Sequence, residues 1–233
     1  MPTALVTGAT EGIGRATALA FGRAGWRVGV CARTAAKVEL LAEELRAMGV
    51  EAAGAAGDVG VEADTRRMAL TLRDALGPAD VLVNNAGIAV FKPFLEQSLE
   101  EWDRMMATNV RSLFLMTREV LPGMIERRRG AVVNVASLAG KSGVKGATGY
   151  SASKHAVLGF SRSLMLEVRT FGVRVIAICP GSVDTDLIRA HEDPDASPRR
   201  ILHPDDVAAI ILSALALPER ALVSELDVRP SNP

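Results

Sequence analysis

Residues 4–14 have the sequence ALVTGATEGIG, in which a short apolar run is followed by a turn with three glycines and then by the start of a helical pattern. The apolar run predicts a strand, and we expect the helix to run from about residue 13 to residue 24. Glycines allow the chain to turn tightly and to approach a pyrophosphate closely. The free N–H groups and positive dipole end of the helix favour the same anion. Placed at the start of an alternating chain, this unit predicts nucleotide binding.

Apolar runs alternate with helical patterns along the rest of the chain. The predicted strands are residues 28–32, 52–58, 80–84, 131–137, 174–179 and 222–228. Ser98 and Glu101 predict a capping box at the start of a long helix over about residues 100–127. This alternation indicates an α/β fold, a Rossmann-type doubly wound parallel β-sheet with helices on both faces. A single domain over residues 1–233 is the simplest organisation, because α/β sheets reach this size.

Composition excludes several classes of protein. Lys+Arg and Asp+Glu both total 27, so no net charge attracts nucleic acid or an anionic membrane. The amino terminus has no basic-then-apolar signal pattern, and no segment approaches the roughly 18 apolar residues of a membrane span, so we expect a soluble, cytoplasmic protein. Cys31 and Cys179 lie in apolar runs and are expected to be reduced core residues. His155, His191 and His203 are too scattered for a zinc site, and we predict no metal.

Tyr150 and Lys154 are four residues apart, so on a helix their side chains share one face. An ammonium close to a phenol favours the phenolate and lowers the phenol pKa from about 10. General acid–base catalysis near neutral pH would then be possible. The same spacing also occurs on ordinary solvated helices, so the pair needs support from other motifs.

The support comes from motifs in a fixed order. They are T-G-x-x-x-G-x-G at residues 7–14, Asn-Asn-Ala-Gly at residues 84–87, Ser137 thirteen residues before Tyr150, and P-G-x-x-x-T at residues 180–185. Over nearly its whole length the chain resembles the short-chain dehydrogenase/reductase family. The resemblance implies an oxidoreductase in which Tyr150 donates the proton, Ser137 binds the substrate oxygen, Lys154 lowers the phenol pKa and binds ribose, and Asn109 holds a water of the proton relay.

The resemblance also implies where the cofactor binds. The implied positions, in addition to Tyr150 and Lys154, are Gly8, Thr10, Gly12, Ile13, Gly14, Arg33, Thr34, Asp58, Val59, Asn85, Ala86, Gly87, Pro180, Gly181, Val183 and Thr185. No acid ends the second strand; Arg33 and Thr34 follow it and suit a 2′-phosphate, so we predict NADP(H). Glu11 is unusual for NADP-preferring relatives, and NAD is the alternative.

Residues 184–202 are irregular in pattern, with two prolines, and are expected to form a short substrate lid. The implied substrate is a small carbonyl or alcohol compound: a 3-oxoacyl thioester, an aldehyde or a small cyclic ketone. The resemblance implies a homodimer or homotetramer with interfaces on the helices near residues 100–127 and 151–169. The alternatives are an NAD-dependent alcohol dehydrogenase of the same family and a non-catalytic NADP-sensing module.

Overall fold

The computed structural model describes residues 1–189, 201–218 and 220–231. The strands in these ranges are β1 (Thr3–Thr7), β2 (Arg27–Ala32), β3 (Ala52–Ala56), β4 (Val81–Asn84), β5 (Gly130–Val135), β6 (Val173–Pro180) and β7 (Glu225–Val228). The α-helices are α1 (Gly12–Arg23), α2 (Ala35–Ala47), α3 (Glu62–Leu76), α4 (Leu99–Met106), α5 (Ser112–Glu126), α6 (Thr148–Val168), α7 (Asp186–Arg189) and α8 (Pro204–Leu215).

The seven strands form one parallel sheet in the order β3-β2-β1-β4-β5-β6-β7. The order runs in opposite directions on the two sides of β1 and β4, which is the topological switch point of a doubly wound sheet. The predicted fold class is therefore confirmed. Ligands of such sheets bind beyond the carboxyl ends of the strands near this switch point.

Two hydrophobic layers hold the helices to the sheet. Successive residues of a strand face opposite sides, so Val6 packs into the layer under α1, α2 and α8, and Leu5 packs into the layer under α3, α5 and α6. Burial on both faces explains why the central strands are mostly continuous apolar runs rather than alternating ones. All five residues of β1 are buried.

The long helix predicted over residues 100–127 differs from the observed one in its centre. It begins at Leu99 with the expected Ser98–Glu101 capping box and ends at Glu126. Between α4 and α5, residues Ala107–Arg111 form one turn of π-helix. Such turns insert one extra residue into a helix and occur often at functional sites.

Several predicted boundaries move by one to three residues. Strand β3 ends at Ala56 and β5 ends at Val135, so Asp58 and Ser137 lie beyond the strand ends. Pro180 is the last residue of β6. In the predicted lid, helix α7 is described, and a parallel bridge joins Val183 to Leu202, but residues 190–200 lie outside the described residues.

No described helix has the length and apolar character needed to cross a bilayer.

Candidate active site

A cleft of about 400 Å³ opens at the carboxyl ends of the central strands. Of the predicted site residues, all except Gly14 and Asn109 line this cleft. It is continuous from Ser137, Tyr150 and Lys154 at one end to Arg33 and Thr34 at the other. Asp186, Leu187 and Ile188 of the predicted lid also line it. Further lining residues were not predicted as site residues: Glu11, Ala32, Lys37, Ile88, Thr108, Val135 and Ala136.

The glycine turn between β1 and α1 forms one wall. Gly8 and Gly12 have positive φ angles of 61° and 51°, which non-glycine residues rarely adopt. A Cβ atom at Gly8 would lie 2.8 Å from the Ala86 Cα, and one at Gly14 would overlap the Gly8 carbonyl oxygen. Asn85 Nδ2 donates to the Thr7 and Gly8 carbonyls at 3.0 and 3.1 Å. The glycines are therefore required by the close approach of two loops.

Helix α1 presents its first turn to the cleft. In the described structure no side chain caps this turn and none of its residues is acidic, and Gly12 and Ile13 line the cleft. The N–H groups of an uncapped first turn and the helix dipole together favour an anion at this place.

The Ser137 and Tyr150 side chains meet at the opposite end. Ser137 follows β5, and its Oγ accepts a hydrogen bond from the Ala139 N–H at 3.1 Å. Tyr150 lies in the first turn of α6, and its ring packs against Phe91 with 5.7 Å between centroids. Lys154 lies one turn later; its Nζ donates to the Val135 carbonyl at 2.8 Å and is 5.8 Å from the Tyr150 ring centroid.

The pKa of Tyr150 differs from the expectation. Burial raises the phenol pKa above its ordinary value of 10.0, and the hydrogen bond with Ser137 offsets this only in part. Burial also lowers the pKa of Lys154 from 10.5 to about 8. Burial therefore decides the direction of the Tyr150 pKa shift, against the lowering expected from the nearby ammonium. At neutral pH the phenol is protonated and can donate a proton.

Asn109 lies in the π-helical turn behind the cleft and is buried. Its Oδ1 accepts from the Ile88 N–H at 2.8 Å, and its Nδ2 donates to the Ile88 carbonyl at 2.8 Å and to Ser153 Oγ at 3.0 Å. The side chain thus braces the loop after β4 against α6. A Cβ at Gly87 would lie 3.5 Å from Asn109 Oδ1 and 3.6 Å from Lys154 Nζ, so both atoms border the same small space.

Charged side chains surround the other end of the cleft. Arg33, Glu11 and Lys37 are all exposed there, and Lys37 Nζ forms an ion pair with the Glu11 carboxylate. The hydrogen bond from Lys37 to Glu11 raises the Lys37 pKa. The sequence interpretation missed Lys37, because its partner Glu11 is 26 residues away and no motif marks the lysine. Beside this end, Asp58 Oδ1 accepts from the Gly60 N–H at 2.8 Å.

The described residues include one cluster of side chains of the kind that bind metal ions. One group of three, Cys179, Glu225 and Asp227, has its ligand atoms within 4.8 Å of one another. The Lys141 ammonium binds both carboxylates of this group, those of Glu225 and Asp227. Cys31 and Cys179 are free and buried, as expected, and burial raises the pKa values of their thiols to about 12 and about 11.

The histidines of the described part of the chain stay apart from this group. His155 and His203 are exposed, on α6 and immediately before α8. The third, His191, lies outside the described residues.

Comparison with known proteins gives consistent matches. A family model described as short chain dehydrogenase matches residues 2–196. The chain is 39% identical over 199 residues to a 3-oxoacyl-(acyl-carrier-protein) reductase of Pseudomonas aeruginosa, covering 85% of this chain and 80% of the relative. A variant of actinorhodin polyketide ketoreductase solved with NADPH is 36% identical with a TM-score of 0.92, covering 98% of this chain and 96% of that one. A serine dehydrogenase complexed with NADP⁺ is 33% identical with a TM-score of 0.91, covering 98% and 94%.

Proposed function

The chain belongs to the short chain dehydrogenase family of oxidoreductases, and we propose that it transfers a hydride between NADP(H) and a carbonyl or alcohol substrate. The observation that carries the proposal is the single cleft with Ser137, Tyr150 and Lys154 at one end and two cationic side chains, Arg33 and Lys37, at the other. A dinucleotide with a phosphorylated ribose requires both ends in one continuous site.

The residues present fit this cofactor. The glycine turn leaves no space for a Cβ at Gly8, and the uncapped first turn of α1 suits a pyrophosphate. Arg33, Thr34 and Lys37 would bind a 2′-phosphate, and Asp58 with Val59 would contact adenine. Thr10, Ile13, Asn85, Ala86, Gly87, Pro180, Gly181, Val183 and Thr185 would complete the binding surface. When bound, NADPH supplies the hydride.

Tyr150 acts as the general acid in this proposal. Because burial keeps the phenol protonated at neutral pH, Tyr150 can donate its proton to the carbonyl oxygen as negative charge develops there. Ser137 donates a second hydrogen bond to that oxygen and so stabilises the same charge. Lys154 is a buried cation one helical turn away, and it would also bind the hydroxyls of the nicotinamide ribose.

Asn109 and Lys154 are the proposed route for replacing the donated proton. Asn109 Oδ1 and Lys154 Nζ border one space beside Gly87, and a water there would join the two side chains. Asn109 is well suited to hold that water, because its hydrogen bonds to Ile88 and Ser153 fix the amide in place.

The substrate classes proposed are 3-oxoacyl thioesters, aldehydes and small cyclic ketones. The relative that is named as a 3-oxoacyl-(acyl-carrier-protein) reductase supports the first class. The apolar residues Ile88, Leu187 and Ile188 line the cleft and suit the carbon chain of any of the three. Leu187 and Ile188 belong to residues 184–202, the segment that we propose closes over the substrate.

We also propose a cytoplasmic homodimer or homotetramer. Phe114 on α5 and Leu166 on α6 are 51% and 58% exposed, and these helices are the proposed interfaces. Phe114→Glu and Leu166→Glu should reduce the mass measured by light scattering, whereas Leu40→Glu, an exposed leucine on α2, should not. Equal masses for all three variants would exclude these helices as interfaces.

The cytoplasmic part of the proposal is supported by the buried free thiols of Cys31 and Cys179, which suit a reducing compartment.

The test of function is a substrate panel. Purified protein is mixed with NADPH or NADH and with aldehydes, diketones, 3-oxoacyl thioesters and quinones, and cofactor absorbance is followed. We expect NADPH-dependent turnover of at least one class. Turnover of NADH and NADPH at equal kcat/KM would favour the NAD-dependent alternative. Tight NADPH binding without turnover of any compound would favour a non-catalytic sensor.

A further inference from the structure

The turn that follows Ser137 determines where the Ser137 hydroxyl lies. Residues Leu138–Gly140 form one turn of 3-10 helix, and Ser137 Oγ accepts its first free N–H, that of Ala139. The Ser137 carbonyl accepts from the Gly140 N–H at 2.9 Å, and the Leu138 carbonyl accepts from the Lys141 N–H at 2.9 Å. Ser137 and Lys141 are therefore the two ends of one small hydrogen-bonded unit.

This unit is enclosed by other parts of the site. A Cβ at Gly140 would lie 2.7 Å from the Lys154 carbonyl oxygen, so the turn packs directly on the backbone of α6. On another side, a Cβ at Gly181 would lie 3.3 Å from Leu138 Cδ1. A shift of the turn would consequently move Ser137 relative to Tyr150.

Lys141 attaches the end of the turn to the edge strand β7. Its ammonium binds the carboxylates of Glu225 and Asp227, and Arg162 of α6 binds Glu225 at 3.0 Å. The Lys141 and Glu225 side chains are 30% and 20% exposed, so the cluster is partly shielded from solvent. The bonds to Lys141 lower the pKa values of both carboxyls and raise the pKa of Lys141, so all three stay charged at neutral pH.

We propose that Lys141 is a positioning residue for the proposed reductase, which holds the Ser137 hydroxyl in place through the turn and through the two carboxylates of β7. It does not line the cleft, and so it acts through Ser137 rather than on the substrate. Without its ammonium, the turn loses its attachment to β7, whose carboxylates Glu225 and Asp227 keep only their ion pairs with Arg162 and Arg229. The Ser137 hydroxyl has to be held within about 0.5 Å of the position from which it can donate a hydrogen bond to the substrate oxygen as negative charge develops there.

The first test is kinetic. Lys141→Ala should lower kcat about tenfold, because a displacement of ~1 Å can cost up to about 10²-fold, while the Kd for NADPH changes less than about twofold. Lys141→Arg should restore most of the rate, since it keeps the charge. The matched control is Lys145→Ala, which removes an exposed lysine four residues later and should leave kcat unchanged. Equal kcat for the two alanine variants would overturn the proposal.

A double-mutant cycle separates positioning from general stability. If Lys141 acts through Ser137, adding Lys141→Ala to Ser137→Ala should lower kcat by less than about twofold further. A full tenfold loss in the double variant would show that Lys141 acts independently of Ser137, and the proposal would be wrong. Should Lys141→Ala fail to fold, Asp227→Asn takes its place in the cycle, since it weakens the same cluster and keeps the side-chain size.

Amide hydrogen exchange gives a measurement that needs no activity. Exchange at residues 139–141 should be faster in Lys141→Ala than in wild type and in Lys145→Ala. Unchanged exchange would overturn the proposal even if the substrate panel finds an active enzyme. Conversely, a wild-type protein that turns over no compound in the panel would contradict the proposed function, and faster exchange in Lys141→Ala would still establish the attachment.

Discussion

The two ends of the cleft are built in different ways. At the end with Tyr150, the neighbouring Asn109 and Lys154 are buried and each is bonded to backbone carbonyl or amide groups. At the other end, Glu11 and Lys37 are more than half exposed and bonded to each other. A buried hydrogen bond that loses its partner costs about 1–3 kcal/mol, whereas an exposed ion pair contributes about 0.2–1 kcal/mol and is screened by salt. Changes at the buried end should therefore act on chemistry, and changes at the exposed end on cofactor preference.

The largest expected effect is that of Tyr150→Phe. The substitution keeps the ring and its packing on Phe91, and it removes only the proton donor. We expect kcat to fall about 10²- to 10⁴-fold, the usual range for loss of a general acid, while the Kd for NADPH stays within about twofold. Stopped-flow absorbance and fluorescence titration measure the two quantities. Retention of more than about 1% of the wild-type kcat would remove Tyr150 from the mechanism.

Arg33→Asp should change the cofactor rather than the chemistry. Loss of a hydrogen bond to a charged group costs about 1.5–3 kcal/mol, so kcat/KM for NADPH should fall about 10- to 150-fold. The new carboxylate repels a 2′-phosphate further, whereas kcat/KM for NADH should change much less. Arg66→Asp, an exposed site on α3 away from the cleft, is the control for charge alone. An unchanged NADPH/NADH ratio would show that Arg33 does not contact the phosphate.

The pH profile tests the buried cation. With a Lys154 pKa of about 8, reduction should be flat below pH 8, where the ammonium is present, and should fall about tenfold per pH unit above it. Oxidation of the alcohol needs the phenolate and should instead rise with pH. A reduction rate that stays constant to pH 10 would contradict this assignment.

The same shift makes a prediction about stability. Because the pKa of Lys154 in the folded chain lies below its ordinary value of 10.5, the folded chain binds fewer protons than the unfolded chain between pH 8 and 10.5. The free energy of unfolding should therefore rise with pH across this window in wild type relative to Lys154→Met. Equal pH dependence in the two proteins would mean that the Lys154 pKa is not lowered.

The sequence predicted the sheet because its central strands are mostly apolar runs, as strands buried on both faces must be; the edge strand β7, with Glu225 and Asp227, has the weaker pattern. It also predicted which residues line the cleft, since motifs at the ends of parallel strands meet at one edge. It could not predict the direction of the Tyr150 pKa shift. The spacing of Tyr150 and Lys154 gives their relative place on a helix, but the bond from Lys154 to Val135 and the burial of both groups depend on the packed structure.

The π-helical turn and the role of Lys37 were missed for a related reason. The hydrophobic pattern over residues 100–127 is compatible with a continuous α-helix, and the extra residue in Ala107–Arg111 is apparent only once Asn109 bonds to Ile88 and Ser153. Lys37 is an ordinary exposed lysine on α2 in the sequence. Its partner, Glu11, is 26 residues away, and only the fold brings the two together at the edge of the cleft.

The smallest expected effect concerns that Glu11–Lys37 pair. Glu11→Gln removes a carboxylate that repels a 2′-phosphate and releases Lys37 to bind it, so KM for NADPH should fall about two- to fivefold, as expected for about 0.5–1 kcal/mol. Lys37→Gln should raise KM by a similar factor, and the double variant should be close to wild type. Glu39→Gln, which breaks the exposed ion pair with Arg46 on α2 outside the cleft, is the matched control.

Salt should reduce the effect of Glu11→Gln, because the Debye length decreases from about 10 Å at 0.1 M to about 3 Å at 1 M. The Tyr150→Phe effect should not respond to salt, since it removes a donor that is shielded from solvent. Weaker NADPH binding by Glu11→Gln would reverse the interpretation: it would show that Glu11 orients Lys37 towards the phosphate. The exposed end would then resemble the buried end, with one side chain fixing another that does the binding.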